Sequence, residues 1–103
     1  MTPALQNRKP ALARNEKGKR ETDQVRQIAV SHGGKVSTTS SGTKHLVTIS
    51  LFGMADDDPR LRAMLYAIEF ATHGQFDRGR AYPGMTQFSA HSRFVDVVVR
   101  CVK

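Results

Sequence analysis

The sequence contains no tryptophan, a single cysteine and only nine acidic residues against sixteen lysines and arginines. Each scarcity excludes something. One cysteine, Cys101, cannot close an intramolecular disulfide, and in the run FVDVVVRCV it reads as a small packed hydrophobe, which suits a reducing cytoplasm. No apolar run approaches the roughly 20 residues that cross a bilayer. The opening MTPALQNRKPALARNEKGKR has no apolar core of the kind a signal peptide needs. The expectation is a soluble cytoplasmic protein without a membrane partner. At 103 residues the chain suffices for one domain with a thin core.

The shortage of acid is uneven along the chain. Residues 1–20 carry Arg8, Lys9, Arg14, Lys17, Lys19 and Arg20 against Glu16 alone, so they hold +5 of the formal +7. Residues 21–103 hold ten basic and eight acidic side chains, and are close to neutral. Pro3, Pro10 and Gly18 punctuate the first segment and its apolar residues are scattered, so it buries too little surface to offset the entropy of ordering. We read residues 1–20 as a flexible basic arm and 21–103 as the domain. Lysines and arginines on such an arm meet phosphate and release counterions, which gives salt-sensitive binding with little sequence choice. A solvated tail is the plainer alternative.

From Thr22 the residues Val25, Ile28, Ala29 and His32 fall at i, i+3, i+4 and i+7 and share one helical face, and Gly33-Gly34 ends it. KVSTTSSGTKHLVTISLF reads as a hairpin: a strand near Lys35 to Thr39, a turn at Ser40 to Thr43, and a strand from Lys44 to Phe52. Alternation places His45, Val47, Ile49 and Leu51 on the core face. In DDDPRLRAMLYAIEFATHG, Asp58 is an N-cap, Pro59 fits the first helical position, and Leu61, Met64, Leu65, Ile68 and Ala71 form the apolar stripe, widened by Tyr66 and Phe70. Gln75 to Ser92 reads as a loop with a short strand around Met85 to Ser89. RFVDVVVRCVK closes the chain as a strand apolar enough on both faces to be central. The fold class expected is α+β, in the order α-β-β-α-(β)-β, with a mainly antiparallel sheet and two helices on one face.

Chemical motifs are few. His32, His45, His73 and His91 are scattered and lack a second cysteine, so no metal site is expected. Asp56-Asp57-Asp58 is explained by helix capping rather than by a divalent cation. The Walker loop, the nucleophile elbow and the dinucleotide fingerprint are absent, and no cofactor is expected. Phe76, Arg78, Arg80, Tyr82, Phe88 and Arg93 interleave aromatics with guanidiniums, a pattern that stacks unpaired bases and pairs phosphates. The plainer reading puts Phe76 and Phe88 in the core.

The stretch from Thr22 to Phe70, in which a turn containing Gly42 leads into Lys44 and His45, resembles the HicA-type RNA-cleaving toxins. The resemblance implies a double-stranded-RNA-binding-like core that presents His45 as general base or acid. The family's glycine-serine-histidine run is missing, and Gln75 to Lys103 has no counterpart in so compact a fold. The sequence therefore favours a small non-enzymatic nucleic-acid-binding accessory protein, with Arg8, Lys9, Arg14, Lys17, Lys19, Arg20, Arg78, Arg80, Tyr82 and Arg93 as its contacts. One alternative is a protein-interaction module, such as a small regulator or inhibitor from a mobile element or an assembly subunit. It would dock through the C-terminal strand or the Tyr66 and Phe70 face on a partner or a second copy. The other is a ribonuclease-type toxin using His45.

Overall fold

The computed structural model describes residues 18–41 and 44–103. Arg8, Lys9, Arg14 and Lys17 of the basic arm lie outside the described residues, as do Gly42 and Thr43 of the first turn. Helix α1 covers residues 18–31, so Gly18, Lys19 and Arg20, assigned to the arm from sequence, are helical. Val25 and Ala29 are fully buried and Ile28 packs beside them. The helix stops as expected. Gly33 takes φ 82, its amide reaches the Val30 carbonyl at 3.0 Å and the Gly34 amide reaches Ala29 at 2.8 Å, closing a Schellman turn.

Strands β1 (Lys35–Ser41) and β2 (Lys44–Phe52) form the antiparallel hairpin; β2 has the expected bounds, and β1 runs two residues past Thr39 into the expected turn. Helix α2 (Pro59–Thr72) begins where Asp58 Oδ1 accepts the Arg60 amide at 2.9 Å, with Pro59 at its first position. Leu61, Met64, Leu65 and Ile68 are buried as the stripe predicts. Thr72 rather than Ala71 completes it, with its hydroxyl on the Ile68 carbonyl at 2.8 Å. Tyr66 and Phe70 do not widen the core: they are 65% and 86% exposed. His73, not Gly74, takes the left-handed conformation that ends α2, at φ 58. Gly74 lies where the chain passes the His91 carbonyl, 3.3 Å from where a Cβ would stand.

The stretch after α2 is more ordered than its sequence suggested. Strands β3 (Arg80–Tyr82) and β4 (Met85–His91) form a second hairpin around Pro83 and Gly84, the latter at φ 74. Strand β5 (Val95–Val102) runs up the middle. The sheet order is β1-β2-β5-β4-β3, and only the β2 and β5 pair is parallel. A central β5 explains why both its faces are apolar.

Both helices cover one face of this sheet. Val47, Ile49 and Leu51 of β2, Val95, Val97, Val99 and Cys101 of β5 and Phe88 of β4 meet Val25 and Ala29 of α1 and Leu61, Met64 and Ile68 of α2 in one buried cluster. Removing the valine, leucine, isoleucine, methionine and phenylalanine side chains among them from water contributes roughly 1.5–3 kcal/mol each. Among the described residues no helix is long and apolar enough to cross a membrane.

Candidate nucleic-acid interface

Side chains two apart on a strand share a face, so the register of the five strands fixes which residues stand together on the side the helices leave open. Lys35 of β1 pairs with Ser50 of β2, Ser50 with Arg100 of β5, Arg100 with Gln87 of β4, and Gln87 with Arg80 of β3. One transverse row thus carries three cations across all five strands. With strands about 4.8 Å apart, Lys35, Arg100 and Arg80 follow one another at roughly 10 Å intervals. Arg100 Nε donates to Gln87 Oε1 at 3.3 Å, which orients the guanidinium. Among the described residues none of the three lies within salt-bridge distance of a carboxylate.

The neighbouring row, two residues further along each strand, holds Phe52, Val102, Met85 and Tyr82. Phe52 is 62% exposed and Tyr82 45%. The Lys35 ammonium lies 5.5 Å from the Phe52 ring centroid, a cation-π distance. At the opposite end of the face the one carboxylate within the strands, Asp96, is paired with Lys44 Nζ at 2.9 Å and hydrogen-bonded to His91 Nδ1 at 3.0 Å. Burial alone would push the Asp96 carboxyl up. The hydrogen bonds and charges of Lys44 and His91 outweigh that and hold it below the usual carboxylate value. Asp77 stands at the rim, where its Oδ1 accepts the amides of Gly79 and Ser89 at 3.0 and 3.1 Å.

The residues singled out from sequence separate in space. Arg80 and Tyr82 stand together on the open face. Arg78 does not join them: it lines a cleft of about 460 Å³ beside α2 with Asp56, Asp57, Glu69 and Asp77, whose carboxylates work against a phosphate there. Phe88 is buried and Phe76 packs against the core, as their plainer reading held. The Phe88 ring crowds Gly79, where a Cβ would sit 2.6 Å from Cε1. Arg93 lies in the β4 to β5 turn, 5.5 Å from the Phe94 ring centroid. Phe94 approaches Gly18, so Arg93 is at the end of the molecule where Lys19 and Arg20 stand exposed on α1. Lys35, Phe52 and Arg100 were missed. Their signal was present, as a cation or ring at an outward strand position, but only the register aligns them.

His45 occupies a structural setting. Its amide donates to the Phe94 carbonyl at 3.0 Å and Nδ1 is 2.9 Å from the Ser40 hydroxyl. A Cβ on Gly18 would lie 2.8 Å from its Cδ2, so α1 closes over the ring. Among the described residues no carboxylate or second histidine is hydrogen-bonded to it. The third strand beside the α-β-β stretch is β5, drawn from the Gln75 to Lys103 segment and parallel to β2. The four histidines stand apart, and among the described residues no group of three or more histidines, cysteines or acids is placed to hold a metal ion.

No family model, curated protein or solved structure matches the chain. The reading of the site therefore rests on its own residues.

Proposed function

We propose that the protein is a small nucleic-acid-binding accessory protein with no catalytic role of its own, acting in the cytoplasm. The observation that supports this is the row Lys35, Arg100, Arg80: three cations on an uncovered face, with no carboxylate in ion-pairing range among the described residues. Lys19, Arg20 and Arg93 add positive charge at the end of the molecule where α1 begins, and Arg8, Lys9, Arg14 and Lys17 precede them in the sequence. Phosphate contact from these separate groups grips one polyanion at several points, and each contact releases counterions. The test is a salt-titrated binding assay of the full chain against DNA and RNA, single- and double-stranded. A fourfold variant with Arg8, Lys9, Arg14 and Lys17 all changed to Gln is run beside it. The expected result is affinity that falls linearly on a log-log salt plot, with a slope shallower by about one for each phosphate contact removed. Binding that ignores salt, or no binding at all, removes the reading.

A second reading has its own observation. Tyr66 and Phe70 line an apolar cleft of about 550 Å³ between α1 and α2, with Ile28, Ala67 and Ala71. Exposed rings over such a cleft suit a protein partner or a second copy of the chain. The C-terminal strand is not available for sheet extension, because β5 is paired along both edges; β1 and β3 are the free edges. A monomer by light scattering, unchanged by Phe70→Ser, argues against the homodimer form of this reading.

A further inference from the structure

Building on the proposal that the protein binds nucleic acid, we infer that the uncovered sheet face takes a single strand, with bases on the Phe52 to Tyr82 row and phosphates along the Lys35, Arg100, Arg80 row. The two rows are neighbours on every strand they share: Ser50 and Phe52, Arg100 and Val102, Gln87 and Met85, Arg80 and Tyr82. Their separation is about 7 Å, one side-chain repeat along a strand. That is of the order of the distance from a nucleotide's base to its own phosphate. The cationic row is thus complementary in charge and offset to the backbone of a strand whose bases lie on the apolar row.

Strandedness follows from shape. A duplex hides the faces of its bases and offers its grooves to a helix or ribbon that projects into them. Here both helices lie on the opposite side of the sheet, and among the described residues no element projects from the open face. A single strand presents base faces, and exposed rings bind any base in that way. Phe52 and Tyr82 are the aromatic side chains of this face, and Val102 and Met85 continue an apolar floor between them. Beyond these two rows the face is mixed: Leu46 and Val98 are apolar, while Ser37, Thr48 and Ser89 offer hydroxyls to base edges or phosphate. Lys35, now over the Phe52 ring, has a flexible stem that swings to phosphate when a base takes the ring.

The test uses the full chain with fluorescein-labelled oligothymidylate, oligouridylate and a blunt DNA duplex of matched length, at low salt. Single strands bind more tightly than the duplex. Phe52→Ala and Tyr82→Ala each weaken single-strand binding by about tenfold and leave duplex binding unchanged, while Tyr82→Phe retains affinity. Both positions are exposed, and unchanged thermal melting shows that the variants are folded. Because the chain has two tyrosines and no tryptophan, Tyr66→Phe leaves Tyr82 as the reporter, whose emission is quenched as a base stacks on it. The oligothymidylate and oligouridylate arms distinguish DNA from RNA. Equal affinity for single strand and duplex, or alanine variants that bind normally, overturns the single-strand inference and leaves nucleic-acid binding standing. Failure of every probe to bind brings down both.

Discussion

The same strands build two surfaces of opposite chemistry. Beneath the helices, β2 and β5 set Val47, Ile49 and Leu51 beside Val97, Val99 and Cys101, all shielded from water. On the reverse, the intervening residues are Thr48, Ser50 and Phe52 beside Val98, Arg100 and Val102. Alternation along each strand is enough to separate the two sets, but it does not explain why the second set carries cations and exposed rings. Hydroxyls and one or two charges keep an uncovered face soluble. A row of three cations with a row of apolar side chains against it goes beyond that requirement, and this difference between the faces underlies the functional proposal.

The contrast is broken most severely from the covered side. Leu61 is fully buried between α2 and the sheet, and Leu61→Ala is expected to cost about 2–5 kcal/mol by denaturant unfolding. Ser50→Ala on the open face is expected to change stability by no more than about 0.5 kcal/mol. Similar losses at both sites would mean that the open face is itself packed against something. Gly79→Ala comes next, because it touches both surfaces. Its φ is +86 and an added Cβ would meet the Phe88 ring at 2.6 Å, so a loss of about 1–3 kcal/mol is expected. Gly79 directly precedes Arg80, so the strain falls where the cationic row ends. Wild-type stability in this variant would show that Phe88 yields.

A purely functional break is the double variant Arg80→Gln with Arg100→Gln. Both side chains are exposed, so the midpoint of unfolding is expected to stay in place while the log-log salt slope of binding shrinks by about two. A slope unchanged from wild type would place the phosphates elsewhere, on the arm or on Lys19, Arg20 and Arg93.

Much of this contrast was legible in the sequence, and the remainder was not for a physical reason. The 3.6-residue and two-residue periods sort Leu61, Met64 and Ile68, and Val47, Ile49 and Leu51, onto core faces without any knowledge of neighbours. The Asp58-Pro59 start of α2 and the Gly33-Gly34 stop of α1 depend on local backbone chemistry, and both are found as read. Pairing between distant strands depends on register, which no local pattern carries. Hence Arg100, some fifty residues from Ser50 in sequence, could be placed on the outer face of β5 but not beside Lys35 and Arg80. Arg78 and Arg80 show the reverse error. They are close in sequence, but a bend at Gly79 sends one towards the acidic cleft by α2 and the other onto the open face.

The smallest expected effect gives the finest view of the open face, because it concerns the carboxylate within its strands. Asp96 is held below its ordinary value of 3.8 by Lys44 and His91, which overcome the opposing effect of its burial. A carboxyl depressed in the folded state contributes stability above its unfolded value, and that stability is lost as pH falls through the lowered one. Asp96→Asn is therefore expected to flatten this part of the acid limb of unfolding. Near neutral pH it costs at most about 1 kcal/mol, because the pair is partly exposed and screened. The same substitution has the opposite sign for binding. It removes a negative charge from the face and frees the Lys44 ammonium, so affinity for a polyanion rises, by up to about fivefold at low salt and less as salt screens it. A variant with the flattened acid limb but no gain in affinity would show that the phosphates keep to the Lys35, Arg100 and Arg80 end of the sheet, out of reach of Lys44.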